Sequence, residues 1–348
     1  MKYRTMPGTD VTVSEVGFGL WTTSTGWWGA VDDDNAVAMM HEALDLGITT
    51  FDAADTYGNG RSEEQLGRAF AGRRDKVVIA TKFGYAWEEY TGDRKGQNEI
   101  PHDFSEAQVR RSLEGSLRRL GTDYIDVWQM HNARMEQVID GSLQALLADF
   151  VREGKIRTWG VALGPAIGWL YEGVVAAHRN VPMVQMIWNA LEQHPGRAMV
   201  DAALEAGTDT SFWVRVPHSS GMLEGKYTAE TTFAPTDHRI HRPKSWLLNG
   251  IKKVETLRFL ERDGERTLGQ AALQWLLAEP RVMTTLPNIY DREQLREFAA
   301  APDTARLSAE EMAQIAALNA TNFGADPEPP RFKGTMEAPA DLRELVRA

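Results

Sequence analysis

The chain has 348 residues, 43% of them hydrophobic and 25% charged, with a net charge of −11 and no cysteine. That composition suits a globular protein with a large buried core, and it excludes disulfides, thiolate catalysis, iron–sulfur clusters and Cys-based zinc sites. The acidic balance argues against nucleic acid or an anionic membrane surface as a partner.

The first residues, MKYRTMPGTDVTVSEVGFG, lack the apolar core of a secretory signal, and no apolar run is long enough for a membrane span. With the absence of cysteine, this leads us to expect a cytoplasmic protein. Short β-rich runs then alternate with longer helical patterns. Strands are predicted over 16–19, 49–51, 77–81, 125–128, 157–161, 184–187, 212–216 and 282–285. Helices are predicted over 32–46, 62–70, 105–120, 136–153, 267–278 and 291–300, with a further one near 246–259. Several carry their own punctuation: acidic residues open 32–46, Ser105 caps its helix, and Gly121 and Gly154 stop theirs. Eight strand–helix units in succession favour a parallel sheet with right-handed crossovers, and eight is the number that closes a (β/α)8 TIM barrel. An open doubly wound sheet would carry a G-x-G-x-x-G turn after its first strand, and Gly17-Phe18-Gly19 lacks the third glycine.

Residues 1–320 are expected to form a single barrel domain and 321–348 a C-terminal tail. Two segments exceed ordinary loop length, 84–104 and 217–263. Both follow strands, so both belong to the C-terminal face, where barrel active sites lie, and at least one is expected to cover the substrate.

Four residues sit at or just beyond successive strand ends: Asp52, Tyr57, Lys82 and His131. In a barrel they converge at one mouth. A buried lysine beside a phenol stabilises phenolate, an aspartate keeps that lysine charged and oriented, and a histidine donates to a carbonyl oxygen or relays a proton. Taken singly, each has a structural explanation; the joint placement points to protonation of an oxygen that gains negative charge.

These residues carry a family resemblance. The run from Phe51 to Glu63, FDAADTYGNGRSE, resembles the aldo-keto reductase signature around its catalytic Asp and Tyr. Ala80-Thr81-Lys82-Phe83-Gly84 resembles the segment with its lysine, and the run from Arg118 to Asp126, RRLGTDYID, followed by His131, the segment with its histidine. Gly154-Lys155-Ile156-Arg157 and Gly225-Lys226-Tyr227 match further landmarks. The resemblance covers about residues 10–315. It implies a β/α barrel with Tyr57 as general acid, Lys82 and Asp52 tuning it, His131 orienting the carbonyl, and NADPH or NADH as cofactor.

The resemblance weakens on the cofactor side. Where relatives carry a Ser-Asn pair, this chain has Ala162-Leu163, which offers no side-chain hydrogen bond. Gln185 is retained, and Trp188 stands where a tyrosine stacks on the nicotinamide. Val216-Pro217-His218 replaces Ser-Pro-Leu, and in Leu286-Pro287-Asn288-Ile289-Tyr290-Asp291 the basic residue expected at the 2′-phosphate is absent at its usual place, although Arg292 is near; Asp291 would repel a phosphate there, and Phe298 replaces an asparagine at the adenine. Trp21, Gln185, Trp188, Val216, Pro217, Asn288 and Gln294 are the candidate cofactor residues; Trp21, Trp28, Trp87 and His218 are candidates for the substrate pocket.

Three readings follow: a reductase or dehydrogenase acting on a small carbonyl, alcohol or sugar and favouring NADH; a cofactor-free lyase or isomerase on the same tetrad; or a binding protein. No metal site is expected, since His218, His238 and His241 lack paired ligand spacing. The sequence leaves oligomeric state and substrate identity open.

Overall fold

The computed structural model describes residues 1–29, 31–91, 99–327 and 331–347. An antiparallel hairpin, β1 (Tyr3–Thr5) and β2 (Thr12–Ser14), precedes eight parallel strands: β3 (Phe18–Gly19), β4 (Thr50–Asp52), β5 (Val78–Phe83), β6 (Ile125–His131), β7 (Ile156–Ala162), β8 (Met183–Ile187), β9 (Ser211–Arg215) and β10 (Val282–Leu286). All eight correspond to predicted strands. They pair in sequence order from β3 to β10. A parallel bridge between Val16 and Thr285 closes the ring, with Gly17 N donating to Thr285 O and Thr285 N to Glu15 O, both at 2.9 Å. The fold is the expected β/α barrel.

Alternation along each strand sorts side chains into two cores. Outward residues such as Phe51, Ile79, Phe83, Trp128 and Phe212 pack against the helix layer. Inward residues Val78, Ala80, Val127, Met183 and Trp213 fill the barrel, joined from below by Met6, Val11 and Val13 of the hairpin. Each such aliphatic chain taken out of water contributes about 1.5–3 kcal/mol. Above this apolar plug the same alternation turns inward Asp52 on β4, Lys82 on β5, Gln129 on β6 and Gln185 on β8, all buried. The site is thus a polar layer set on a rigid apolar floor.

Helix ends follow their sequence signals. Ser105 accepts from Gln108 N to open Glu106–Leu120, and Gly121 closes it in the left-handed region at φ 64°. Thr267 and Gln270 form a reciprocal capping box at Leu268–Leu277. The predicted helix over 136–153 is two helices, Met135–Val138 and Gly141–Arg152. Asp140 breaks the run by capping the second, accepting from the N–H groups of Ser142 and Leu143. Three further helices, Leu170–His178, Gly196–Ala206 and Ala309–Ala320, lacked an assignment in the sequence. The last has a Ser308/Glu311 capping box that marks its start.

Both long segments are tied to the mouth. The first begins and ends on itself through a Tyr85–His102 bridge and Asp103 N to Gly84 O at 2.8 Å. The second carries the helix Lys244–Glu255 and reaches back to the loop after β3, where His238 N donates to Trp27 O at 3.0 Å. Tail residues rest on the rim: Lys333 N donates to Ile167 O, Trp169 N to Lys333 O, and Thr335 Oγ1 to Glu172 Oε1. Among the described residues no helix is long and apolar enough to cross a membrane.

Candidate active site

The four predicted catalytic residues meet at the mouth. Lys82 Nζ lies 2.6 Å from Asp52 Oδ2 and donates to Ala53 O at 2.6 Å. The second Asp52 oxygen accepts from Gln129 Nε2 at 2.9 Å and Gln185 Nε2 at 3.0 Å, and Gln185 also donates to Gln129 Oε1 at 3.0 Å. Lys82 is only 1% exposed. Burial opposes its charge, but Asp52 and Tyr57 outweigh that penalty and hold the ammonium above its ordinary range. Its Nζ lies 4.8 Å from the centre of the Tyr57 ring, and His131 meets that ring edge-on at 5.7 Å. The cation is thereby fixed, charged and dry beside a half-buried phenol.

A second network braces His131. Tyr85 meets it edge-on at 5.0 Å and stacks on His102 at 4.3 Å. The Tyr85 hydroxyl donates to Glu99 and accepts from Asn132 Nδ2 at 2.7 Å, while Arg134 binds Glu99 and Gly164 O. Burial first, and then the Glu99 carboxylate, push the Tyr85 hydroxyl well above its ordinary value, so it stays a neutral prop.

The remaining sequence candidates divide. Trp21 and Trp28 lie together over the mouth, 6.1 Å apart, with His238 between them and Tyr290 stacked on Trp28 at 5.9 Å. Arg239 covers Trp28 at 3.9 Å and is held by Asp237 and the Tyr227 hydroxyl. Trp87 sits at the outer rim, under Arg119 at 5.3 Å. Trp188 does not reach the mouth. As the residue after Ile187 it points outward, is 1% exposed, and packs against Trp275 at 5.1 Å and Arg197 at 4.9 Å. His218 is not a pocket residue either. It is 2% exposed, bonded through Nε2 to Gly269 O at 3.0 Å and packed on Phe298 at 4.5 Å. Burial pulls it down to about 4, so it is neutral.

Gln185 is at the expected depth, but its amide nitrogen is committed to Asp52 and Gln129. Register sets Ala162 between His131 and Gln185, a buried methyl with no side-chain hydrogen bond to offer. Asn288 is half-buried after β10, and Arg292 turns away to pair with Glu42. Gln294 donates to Glu224 Oε2 at 2.9 Å and accepts from Tyr290 N at 3.2 Å. Sequence reasoning missed Glu224, Gln129, and the unit of Asp237 and Arg239. Gln129 had a signal, since it lies two residues before His131 on the same strand and so faces the same way.

Burial pushes Glu224 up to about 7, opposed by Gln294 and Lys226 and helped by Glu297. A carboxyl whose folded value is raised contributes stability that is full below the unfolded value near 4.5 and lost as pH rises through 7. Stability should therefore fall between pH 4.5 and 7 by up to about 3 kcal/mol from this group. Glu224→Gln should flatten that slope in urea unfolding curves taken across the range; an unchanged slope would remove Glu224 as the cause.

The turn after β9 offers a backbone site beside the mouth. Val216 and Pro217 open a buried turn after β9 in which Val216, Ser219 and Ser220 all have positive φ, from 47° to 58°. Such values are uncommon outside glycine, and an outlier for a β-branched residue like Val216. Among the described residues the backbone N–H groups of His218, Ser220 and Gly221 have no acceptor, which makes a cradle suited to a diphosphate. Three residues after Gly221, Glu224 accepts from Gln294, and Asp291 accepts from Gln294 N to cap its helix.

Comparison with known proteins agrees with the barrel fold. The chain is 29% identical over 315 residues to the NADH-specific methylglyoxal reductase of Escherichia coli (strain K12), which spans 86% of this chain and 93% of that protein. It is 28% identical over 334 residues to the L-glyceraldehyde 3-phosphate reductase of the same strain, covering 90% and 91% respectively. Its structure superposes on the glycerol dehydrogenase from Gluconobacter oxydans with a TM-score of 0.78 at 27% identity, covering 95% of this chain and 99% of that one. The model of the Aldo/keto reductase family matches residues 15–320. With the barrel in place and the relatives alike in fold and chemistry, the chain belongs to the aldo/keto reductase family and is an oxidoreductase of that type.

Proposed function

We propose that the protein catalyses reversible hydride transfer between NADH and a small carbonyl or alcohol, a short sugar or aldehyde being the natural size, with Tyr57 as proton donor and acceptor. The observation that carries the reading is the buried Asp52–Lys82 pair set against the Tyr57 ring. Lys82 favours the phenolate that remains once Tyr57 has given its proton to the substrate oxygen. Asp52 keeps Lys82 charged, and Gln129 and Gln185 hold both in place. His131 and Tyr57 bracket the oxygen that gains charge. Trp21 and Trp28 supply an apolar wall, and the 237–239 segment lies over them to limit water. Val216, Pro217, Asn288 and Gln294 line the path of the dinucleotide, which when bound supplies the hydride.

The preference for NADH rests on Glu224, Asp291 and the outward turn of Arg292, and it accords with the NADH specificity named for one relative. Titration of tryptophan fluorescence tests it. NADH should bind in the micromolar range and NADPH at least tenfold more weakly. Tighter binding of NADPH would reject the assignment of the 2′-phosphate region. Turnover by protein stripped of dinucleotide would instead favour elimination or isomerisation on the same tetrad.

A further inference from the structure

Arg215 is the last residue of β9, and alternation from Trp213 turns it inward, toward the mouth. Its Nη2 donates to Leu163 O, and its Nε is buried with no acceptor. Gly164 shows where the guanidinium lies. A Cβ added there would sit 2.1 Å from Arg215 Nη2 and 2.7 Å from Asn132 Oδ1. The cation therefore occupies the space beside the residue that follows His131, and the ionisable groups facing it are Tyr57, Asp52 and Tyr85.

Arg179 and Arg281 are also bonded only to backbone carbonyls, but among the part-buried arginines without a carboxylate only Arg215 ends an inward-facing strand position, and the others near the barrel are paired. Arg266 pairs with Glu311, Arg119 with Glu63, Arg74 with Asp126, and Arg239 with Asp237. Among the described residues no carboxylate lies within ion-pair distance of Arg215. A buried charge without a partner is costly, and it persists where something else supplies the opposite charge. Asp52 cannot, because both its oxygens are engaged by Lys82, Gln129 and Gln185. Gly164 makes sense here: without a Cβ it leaves room for the guanidinium, and the Leu163 carbonyl anchors one of its donors.

We infer that Arg215 binds an anionic group of the substrate, a carboxylate or a phosphate carried by the same molecule whose carbonyl meets Tyr57. The inference rests on the proposed oxidoreductase reading and narrows its substrate class to anionic aldehydes and ketones. Arg215 is a specificity residue in this scheme and takes no part in proton transfer.

The test compares charged and neutral members of matched pairs with NADH: succinic semialdehyde against butanal, and glyceraldehyde 3-phosphate against glyceraldehyde. The protein should prefer the charged member of at least one pair by about 30-fold or more in kcat/KM, as loss of a desolvated charge pair implies. The pair that responds tells carboxylate from phosphate. Arg215→Leu should collapse that ratio, chiefly through KM, and Arg215→Lys should restore part of it. No preference in the unaltered protein, or an equal loss on both members in Arg215→Leu, overturns the inference. A second measurement needs no turnover: malonate or inorganic phosphate should raise the melting temperature above a chloride control of equal ionic strength, and Arg215→Leu should abolish the shift. An Arg215-dependent shift without reduction of any carbonyl would keep the anion subsite and reject hydride transfer. Reduction with neither a charge preference nor a shift would do the reverse.

Discussion

Tyr57→Phe should lower carbonyl reduction 10²–10⁴-fold, the usual contribution of a positioned general acid, with little change in KM. The ring contacts survive the change, since the edge-on packing with His131 and the Lys82 cation over the ring face need only the aromatic system. The melting temperature should therefore stay within about 2 °C. Steady-state kinetics and a thermal scan on one preparation decide it. Turnover near that of the unaltered protein would remove Tyr57 from the chemistry.

The second large effect is on stability. Asp52→Leu strips Lys82, at 1% exposure, of its only carboxylate partner among the described residues and takes the acceptor from the Gln129 amide, while Gln185 keeps Gln129 Oε1. Removing one member of a buried ion pair costs about 3–5 kcal/mol. Entropy scaling for a chain of this size turns that into a melting temperature about 4–7 °C lower. The double variant Asp52→Leu/Lys82→Met should recover part of the loss, because the uncompensated charge is gone, while reduction stays abolished. If the single and double variants melt alike, the pair is not a coupled unit and the tuning of Tyr57 by Lys82 loses its basis.

Much of this was legible in the sequence because it depends on local rules. Strand alternation and helix punctuation at Ser105, Gly121 and Gly154 located the barrel's parts, and the strand-end positions of Asp52, Lys82 and His131 placed them at one mouth. The readings that failed concern which way a residue faces once regular alternation ends. Trp188 and His218 both follow strands. One turned outward into the gap between Gly196–Ala206 and Leu268–Leu277; the other was folded under by a turn with positive φ at Val216, Ser219 and Ser220. Arg215 could be assigned to the mouth only from coordinates, since inward and outward differ by one residue of register. The Glu224–Gln294 bond spans 70 positions and left no local trace. The break at Asp140, by contrast, was written in the chain: an Asp-Gly pair inside a helical pattern opens a new helix.

The single bridge between Val16 and Thr285 also sets the order in which the molecule can be made. Its two halves are 269 positions apart, from 285 minus 16. At about 5–20 residues per second a ribosome needs roughly 13–54 s to deliver the second half after the first. Throughout that interval the β3 edge has no partner on its free side, while β4 to β9 can already pair behind it. Its shortness, two residues, limits how much ladder it offers to a stray chain. Closure is then a late event, the last joint of the ring that holds Gly164, Arg215 and the tetrad.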